Sequence, residues 1–521
     1  MADALSHDDR QAIGHLWLRQ TLGLRVPRPY VESYVVSGAR RTEVYGTRTV
    51  EYYGRSYLND PSDLRAHLRF ALRHEPADLR ILVAAFKVLG PDPIRLWVQD
   101  EPTGSFSRRA WFLYETFTGE RLDLDDVRGG PYVDALDPNR HIVAARRNSP
   151  RHRVVDNLLG GRDFCPTVRR TQRLEELRGA HVDAEARRLL DRYDPATLAR
   201  AISYLYTKET RSSFAIEGET PTPGKAGRFV AALRSADRFD PQRKAAILAL
   251  QNQIVDPRYA ADDYRDFQNF VGSTTAGFRE EVHFICPRPE DVGSLMRGWS
   301  TSIDRLIDDL DPVVAAAVIA FAFVFIHPFE DGNGRIHRFL MHHVLARTGF
   351  SPSGVIFPVS AAIARDQRSY DEVLESFSTP LLKHIDWQWN GDQTIAVGND
   401  TADLYRYFDA TLFAEYLHDR VIDTVHKDLR DELQFVSIFD AAIDAIDAIV
   451  DMPDRRASLF VKLCMQNGGR LANRKRDEFG ELTDAEITAM EDAVRIIIQR
   501  EANEQADMLP GLFETPSFNA M

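Results

Sequence analysis

Residues Val313 to Ile326 form an unbroken apolar run of fourteen residues with no Gly, Pro or charge. Such a run predicts a helix buried on every side, and it is too short to span a bilayer. His327-Pro328 follows. Proline cannot continue a helix and disfavours helical geometry at the residue before it, so the imidazole should stand at the helix's C-terminal end, entering a loop. From Arg335 to about Arg347 the spacing of Ile336, Phe339, Leu340, Val344 and Leu345 is helical again. The expected unit is helix, loop, helix.

The twelve residues His327 to Arg338, His-Pro-Phe-Glu-Asp-Gly-Asn-Gly-Arg-Ile-His-Arg, carry the chemistry. Gly332 and Gly334 can take positive φ without a Cβ penalty, which would turn consecutive N–H groups inward as an anion nest at the start of the second helix. Asp331 beside that nest is a single hard oxygen ligand, suited to Mg²⁺ that completes its shell with water and phosphate oxygens. Arg335 and Arg338, three apart on one helical face, present planar forks that match phosphates. His327, neutral near pH 7, can accept a proton from an attacking hydroxyl. The residues by themselves describe a site for a metal-bound polyphosphate. His337, His342 and His343 read as surface or packing histidines, since neither an HExxH pair nor a cysteine cluster accompanies them.

The segment closely resembles the Fic family signature HPFx(D/E)GNGRxxR, with all nine constrained positions filled. The resemblance implies that His327 is the general base, that Asp331 holds Mg²⁺, and that Gly332, Asn333, Gly334, Arg335 and Arg338 bind the triphosphate of ATP. It implies transfer of AMP to a Ser, Thr or Tyr hydroxyl of a protein, self-modification included, with diphosphate leaving. Tyr370, in Tyr370-Asp-Glu-Val-Leu374, resembles the family's tyrosine near the base or ribose.

Ser213-Phe-Ala-Ile-Glu217-Gly218 resembles the inhibitory motif (S/T)xxxE(G/N) of the same family. Ser213 and Glu217 share a helical face, and Gly218 supplies a helix end. The resemblance implies an inhibitory helix at about 207–218 whose Glu217 pairs with Arg338 and occupies the fork that the γ-phosphate needs. A third resemblance is to the flap, a hairpin that aligns the target by main-chain pairing. It would lie at about 278–286, after the turn-rich Gly272 to Gly277, with Val282, His283, Phe284 and Ile285 as the edge that meets ATP and target.

A net charge of −13 argues against general nucleic-acid binding. Cys165, Cys286 and Cys464, odd in number and widely spaced, argue against a disulfide framework. The first ten residues lack a signal-peptide pattern and no run approaches a membrane span, so the expectation is a cytoplasmic protein without membrane association. A homodimer is left open.

The expected fold class is mainly α. A Fic-type helical core with a small β-hairpin flap would occupy 195–390, a mixed α/β N-terminal domain with a long connecting loop 1–194, and a helical domain 391–521. In the first region Thr47 to Tyr53 and Arg80 to Leu89 look strand-like. Gly129 to Arg173 looks like a long connection whose arginines, Arg146, Arg147, Arg151 and Arg153 among them, are solvated. Beyond 390, Leu404 to Leu429 has the spacing of one long amphipathic helix, Gly468 to Arg476 resembles the turn of a helix-turn-helix, and Thr483-Asp-Ala-Glu486 is a capping box opening another helix. The tail from Leu509 has little reason to be ordered.

Alternatives to AMP transfer share the signature. They are removal of AMP, transfer of another phosphate-containing group, or a nucleotide-switched regulator or adaptor.

Overall fold

The computed structural model describes residues 10–46, 48–57, 60–274, 280–390 and 394–506. Among them the chain is mainly α-helical, with sheets of two to four strands, as expected. The first and last residues, Phe278 and Arg279 of the flap, and the tail from Leu509 lie outside the described residues. By compactness one unit comprises residues 1–183 and 209–422, and the other 184–208 and 423–521.

The first unit opens with a four-stranded sheet in the order Gln11–Ile13, Val31–Val36, Arg48–Gly54, Arg41–Tyr45, in which the two central strands run parallel. Four helices follow between Leu64 and Thr118. Arg80 to Leu89 is not a strand but part of the helix Leu79–Leu89, capped by Asp78, whose carboxylate accepts from Ile81 N. The misreading has a physical cause: Ile81, Leu82 and Val83 form a short apolar run that passes for a buried strand, and the helical period shows only over the full eleven residues, where Arg80 and Lys87 stand seven apart on one side. Residues 129–173 are likewise more than a connection, since five short strands pair within them. Arg151 is committed internally, with Glu115 at 2.9 Å and Asp126 at 2.8 Å.

The helix Pro312–Ile326 is the centre of the unit, and all but two of its residues are buried. Asp311 starts it, its carboxylate accepting from Val313 N and Val314 N, with Pro312 in the first turn where a missing N–H costs nothing. Each fully buried Val, Ile or Phe contributes about 1.5–3 kcal/mol, which fixes the helix that ends at His327. The Trp299 indole N–H donates to Ile319 O at 2.9 Å and ties the preceding helix, Pro289–Asp309, to it. The helix Asn333–Arg347 packs back against Pro312–Ile326.

Leu404 to Leu429 is not one helix. Ala402–Arg406 stops, and residues 407–410 run extended because they pair with the segment 165–167: Thr167 N donates to Phe408 O and Ala410 N to Thr167 O. A helix then resumes at Thr411–Asp423. Helical spacing of apolar residues persists across this break because the extended piece also buries its side chains.

In the second unit, Arg430–Asp447, Asp454–Met465 and Asp484–Ala506 pack around Ala442, Ile446, Phe460, Val461, Met490 and Val494. The capping box at Thr483 and Glu486 forms reciprocally, with Thr483 N donating to Glu486 Oε2 at 2.7 Å and Glu486 N to Thr483 Oγ1 at 3.3 Å. Between the last two helices Asn473–Phe479 winds as a 3₁₀ turn, in which Arg476 pairs with Glu491 at 3.1 Å.

Candidate active site

The loop between the two central helices is rigid because its own polar groups close it. His327 caps the first helix in left-handed geometry, φ 52° and ψ 58°, which costs a non-glycine residue free energy and persists only where neighbours enforce it. Arg265 is the enforcing neighbour. Its backbone N donates to Pro328 O and its Nε to His327 O, both at 2.8 Å, and its Nη atoms reach Phe267 O and Pro287 O. Asn333 closes the far end, donating to Phe329 O at 2.8 Å and accepting from Phe329 N at 3.1 Å. Its side chain is thus engaged with the loop itself.

Of the two glycines expected at positive φ, only Gly332 has it, at 90°. Gly334 lies inside the helix Asn333–Arg347 and is needed for another reason: a Cβ there would stand 2.4 Å from Glu217 Oε1. Nearby, Gln251 is fully buried and donates to Asp331 O at 3.2 Å, holding the nest from behind.

Nδ1 of His327 faces Val324 O at 3.2 Å. A carbonyl accepts only, so Nδ1 carries the proton and Nε2 is left as the acceptor. Burial, and next the Arg265 guanidinium, push the imidazole down to about 4. It is therefore neutral and proton-accepting throughout the neutral range.

Asp331 Oδ1 accepts from Gly332 N and from Arg335 Nη2, both at 2.6 Å. Among the described residues Oδ2 has no such partner, and Asp331 lines the cavity. Among the described residues no three His, Cys, Asp or Glu side chains gather as a metal cage. One carboxylate oxygen beside a phosphate nest fits Mg²⁺, which takes most of its ligands from water and phosphate.

Glu217 bridges both arginines of the loop. Its Oε1 lies 2.7 Å from Arg338 Nη2 and its Oε2 2.8 Å from Arg335 Nε. The pairing expected with Arg338 is therefore present and extends to Arg335. Ser213, one turn earlier on the helix Pro195–Ile216, accepts from Arg338 Nε at 2.8 Å, and its carbonyl from Nη2 at 2.7 Å. Gly218 ends that helix at φ 71°, where Glu219 N donates to Phe214 O and Gly218 N to Ala215 O, the two bonds of a Schellman cap. The cap places Glu217 at the helix's end with its carboxylate over the signature helix. One turn further back, Glu209 is buried against His342 Nε2 at 2.7 Å and accepts from Ser360 N at 2.8 Å. His337 and His343 are buried as well, so all three signature-helix histidines serve packing.

A cavity of about 620 Å³ opens in front of these groups. It brings together His327, Asp331, Gly332, Asn333, Gly334, Arg338 and Glu217 with His283, Phe284 and Tyr370. Arg335 is absent from its lining, being 1% exposed behind Glu217 and Asp331. Ser213, Gly218, Val282 and Ile285 also stay outside it. Ile285 is buried, and its carbonyl accepts from Tyr405 at 2.5 Å. Where the flap is expected, the strands Phe270–Thr274 and Glu280–Ile285 pair antiparallel, and His283 and Ser273 are hydrogen-bonded at 2.8 Å.

Sequence reasoning missed Arg265, Gln251 and the Glu209–His342 pair. An arginine that serves four carbonyls and no carboxylate has no local sequence signal.

The Fic/DOC family model matches residues 241–345. Protein adenylyltransferase Fic of Nematostella vectensis is 36% identical over 117 residues, which is 22% of this chain and 23% of that protein. Protein adenylyltransferase fic-1 of Caenorhabditis briggsae is 46% identical over 61 residues, 11% of this chain and 12% of that protein. This chain thus spans about a quarter or less of the length of these curated relatives. A Fic family protein of Desulfovibrio desulfuricans G20, solved by crystallography, aligns with 59% of this chain and 88% of its own at 21% identity and a TM-score of 0.37. Residues 241–345, with the His327–Arg338 loop near their end, form a domain of the Fic/DOC family.

Proposed function

We propose that the chain is a protein adenylyltransferase of Fic type that transfers AMP from ATP to a Ser, Thr or Tyr hydroxyl and is held inactive by Glu217. The observation that carries the reading is the convergence of a neutral, proton-accepting His327 and a glycine nest on one cavity, with Glu217 standing on the nest's arginines. The curated relatives, named protein adenylyltransferases, support the same reaction class.

In this account the target hydroxyl lies against His327. Its oxygen attacks the α-phosphorus, the bond to the β-phosphate oxygen breaks, and the proton passes to His327 Nε2. The first-turn amides at Asn333 and Gly334, together with Arg338, stabilise the diphosphate that leaves. Asp331 Oδ2 would hold Mg²⁺, which supplies charge neutralisation on the phosphates when bound. Arg265 and Asn333 act by holding the loop, and the edge at His283 and Phe284 aligns the target. Tyr370 closes the cavity beside the nucleotide. The core of this enzyme would run from 195 to 390, with 1–194 and 391–521 as flanking domains, in a cytoplasmic setting.

Glu217 inhibits by occupancy. While its carboxylate holds both arginines, the γ-phosphate has no fork to enter, and ATP cannot settle in the transferring pose. The test is incubation of the Glu217→Gly protein with ATP and Mg²⁺, followed by peptide mass spectrometry. An AMP adduct on a hydroxyl side chain supports the proposal. A phosphate adduct points to another phosphate-group transfer, and loss of AMP from a pre-modified protein points to the reverse reaction.

A further inference from the structure

A second cavity, of about 510 Å³, lies in the first unit between the N-terminal segment and the helix Gln367–Leu382. That helix also walls the first cavity through Tyr370, Leu374 and Ser378. The second cavity is lined by five cations, Arg19, Arg28, Arg48, Arg80 and Lys383, and by one carboxylate, Glu32.

The charges do not cancel. Glu32, fully buried, is shared between Arg28 at 3.4 Å and Arg48. Arg80 is neutralised by Asp78 at 2.8 Å. Arg19 spends its Nε on Val26 O at 2.7 Å, and among the described residues neither it nor Lys383 has a carboxylate at ion-pair distance. His384, on the same wall, is pushed down to about 4 by burial and then by Arg19, Arg25, Arg80 and Lys383, so the charged groups acting most strongly on it are all cations. A concave surface lined by one sign of charge concentrates counter-ions, and guanidinium forks match phosphate oxygens. Tyr30 and Phe377 add an apolar floor.

We propose that this cavity binds a small anion bearing two or more phosphate groups, contacted by Arg19, Arg28 and Lys383, at a site separate from the His327 cavity. The volume exceeds what a single inorganic phosphate fills, and the cations come from two chain segments that one extended anion would bridge.

Lys383 makes the proposal testable residue by residue on the full chain. Amine acylation is followed at Lys383 by mass spectrometry with and without inorganic pyrophosphate at about 1 mM, and Lys87, which is exposed and lines neither cavity, is the control. The expected result is labelling of Lys383 slowed about tenfold, as for a site occupied some nine parts in ten, with Lys87 unchanged. Arg28→Ala should abolish most of that protection; Arg48 remains to pair Glu32, so the fold is kept. Arg338→Ala, in the other cavity, should leave the protection intact. Equal labelling with and without pyrophosphate would overturn the site. So would full protection in Arg28→Ala, or loss of protection in Arg338→Ala, which would trace the effect to the nucleotide cavity.

Discussion

Glu217 Oε1 stands 2.7 Å from Nη2 of Arg338, a guanidinium 1% exposed whose other contacts include Ser213 Oγ and Ser213 O. A carboxylate at a helix end thus completes the coordination of a buried cation that the signature helix offers to a phosphate. The same carboxylate reaches Arg335 through its second oxygen. On the proposed reading this arrangement would link inhibition to folding, because a buried cation without a partner is costly.

Replacing Glu217 by Gly should raise AMP transfer at least tenfold, within the 1–3 kcal/mol common for coupling between sites. It should also lower the melting temperature, since Arg335 keeps the Asp331 carboxylate while Arg338 loses its ion pair with Glu217 and keeps the hydrogen bonds of Ser213. ATP should restore more stability to this variant than to the wild type. Thermal melts with and without ATP check this, and an unchanged melting temperature with no added transfer would contradict the pairing.

Ser213→Ala removes one hydrogen bond to a charged group, worth about 1.5–3 kcal/mol. Arg338 would remain paired with Glu217 but be less firmly oriented. Transfer should rise less than in Glu217→Gly, and stability should fall. Denaturant unfolding of both variants in parallel measures the order.

Gly334→Ala is expected to activate while keeping the fold. The added methyl would meet Glu217 Oε1 at 2.4 Å, and that atom is the end of a flexible side chain, so the carboxylate moves and the helix does not. Transfer above the wild-type level with helicity unchanged by circular dichroism is the predicted outcome. Unfolding at an unchanged Glu217 contact would refute it.

The pH profile follows from His327. The base form is the neutral imidazole, which exists above the group's pKa; because burial holds that value at about 4, transfer by Glu217→Gly should stay level from about pH 8 to about pH 5. Only below that should it fall, as the imidazole takes up a proton. An ordinary imidazole would lose activity through about pH 6.5. Initial rates across this range decide between them.

Much of the site was legible because its signals are local. The apolar run to Ile326, the His-Pro stop, the Gly218 helix end and the Thr483 capping box each depend on residues within a few positions of one another, and each formed. The second partner of Glu217 was not legible, because a side chain's choice between two forks on one helix face depends on how two distant helices meet. Arg265 was missed for a similar reason: its acceptors are carbonyls that every residue carries. The break at 407–410 arises from pairing with residues 165–167, which no local pattern encodes. Gly334 was read correctly as requiring glycine and wrongly as to why: the constraint is the approach of Glu217 and not φ.

The most direct test of AMP transfer under Glu217 control uses α-³²P-ATP and γ-³²P-ATP in parallel, with Mg²⁺, on the wild type, Glu217→Gly and His327→Ala. The account predicts label from the α position only, strong in Glu217→Gly, weak in the wild type and absent in His327→Ala. Label from the γ position, or full transfer by His327→Ala, would contradict it.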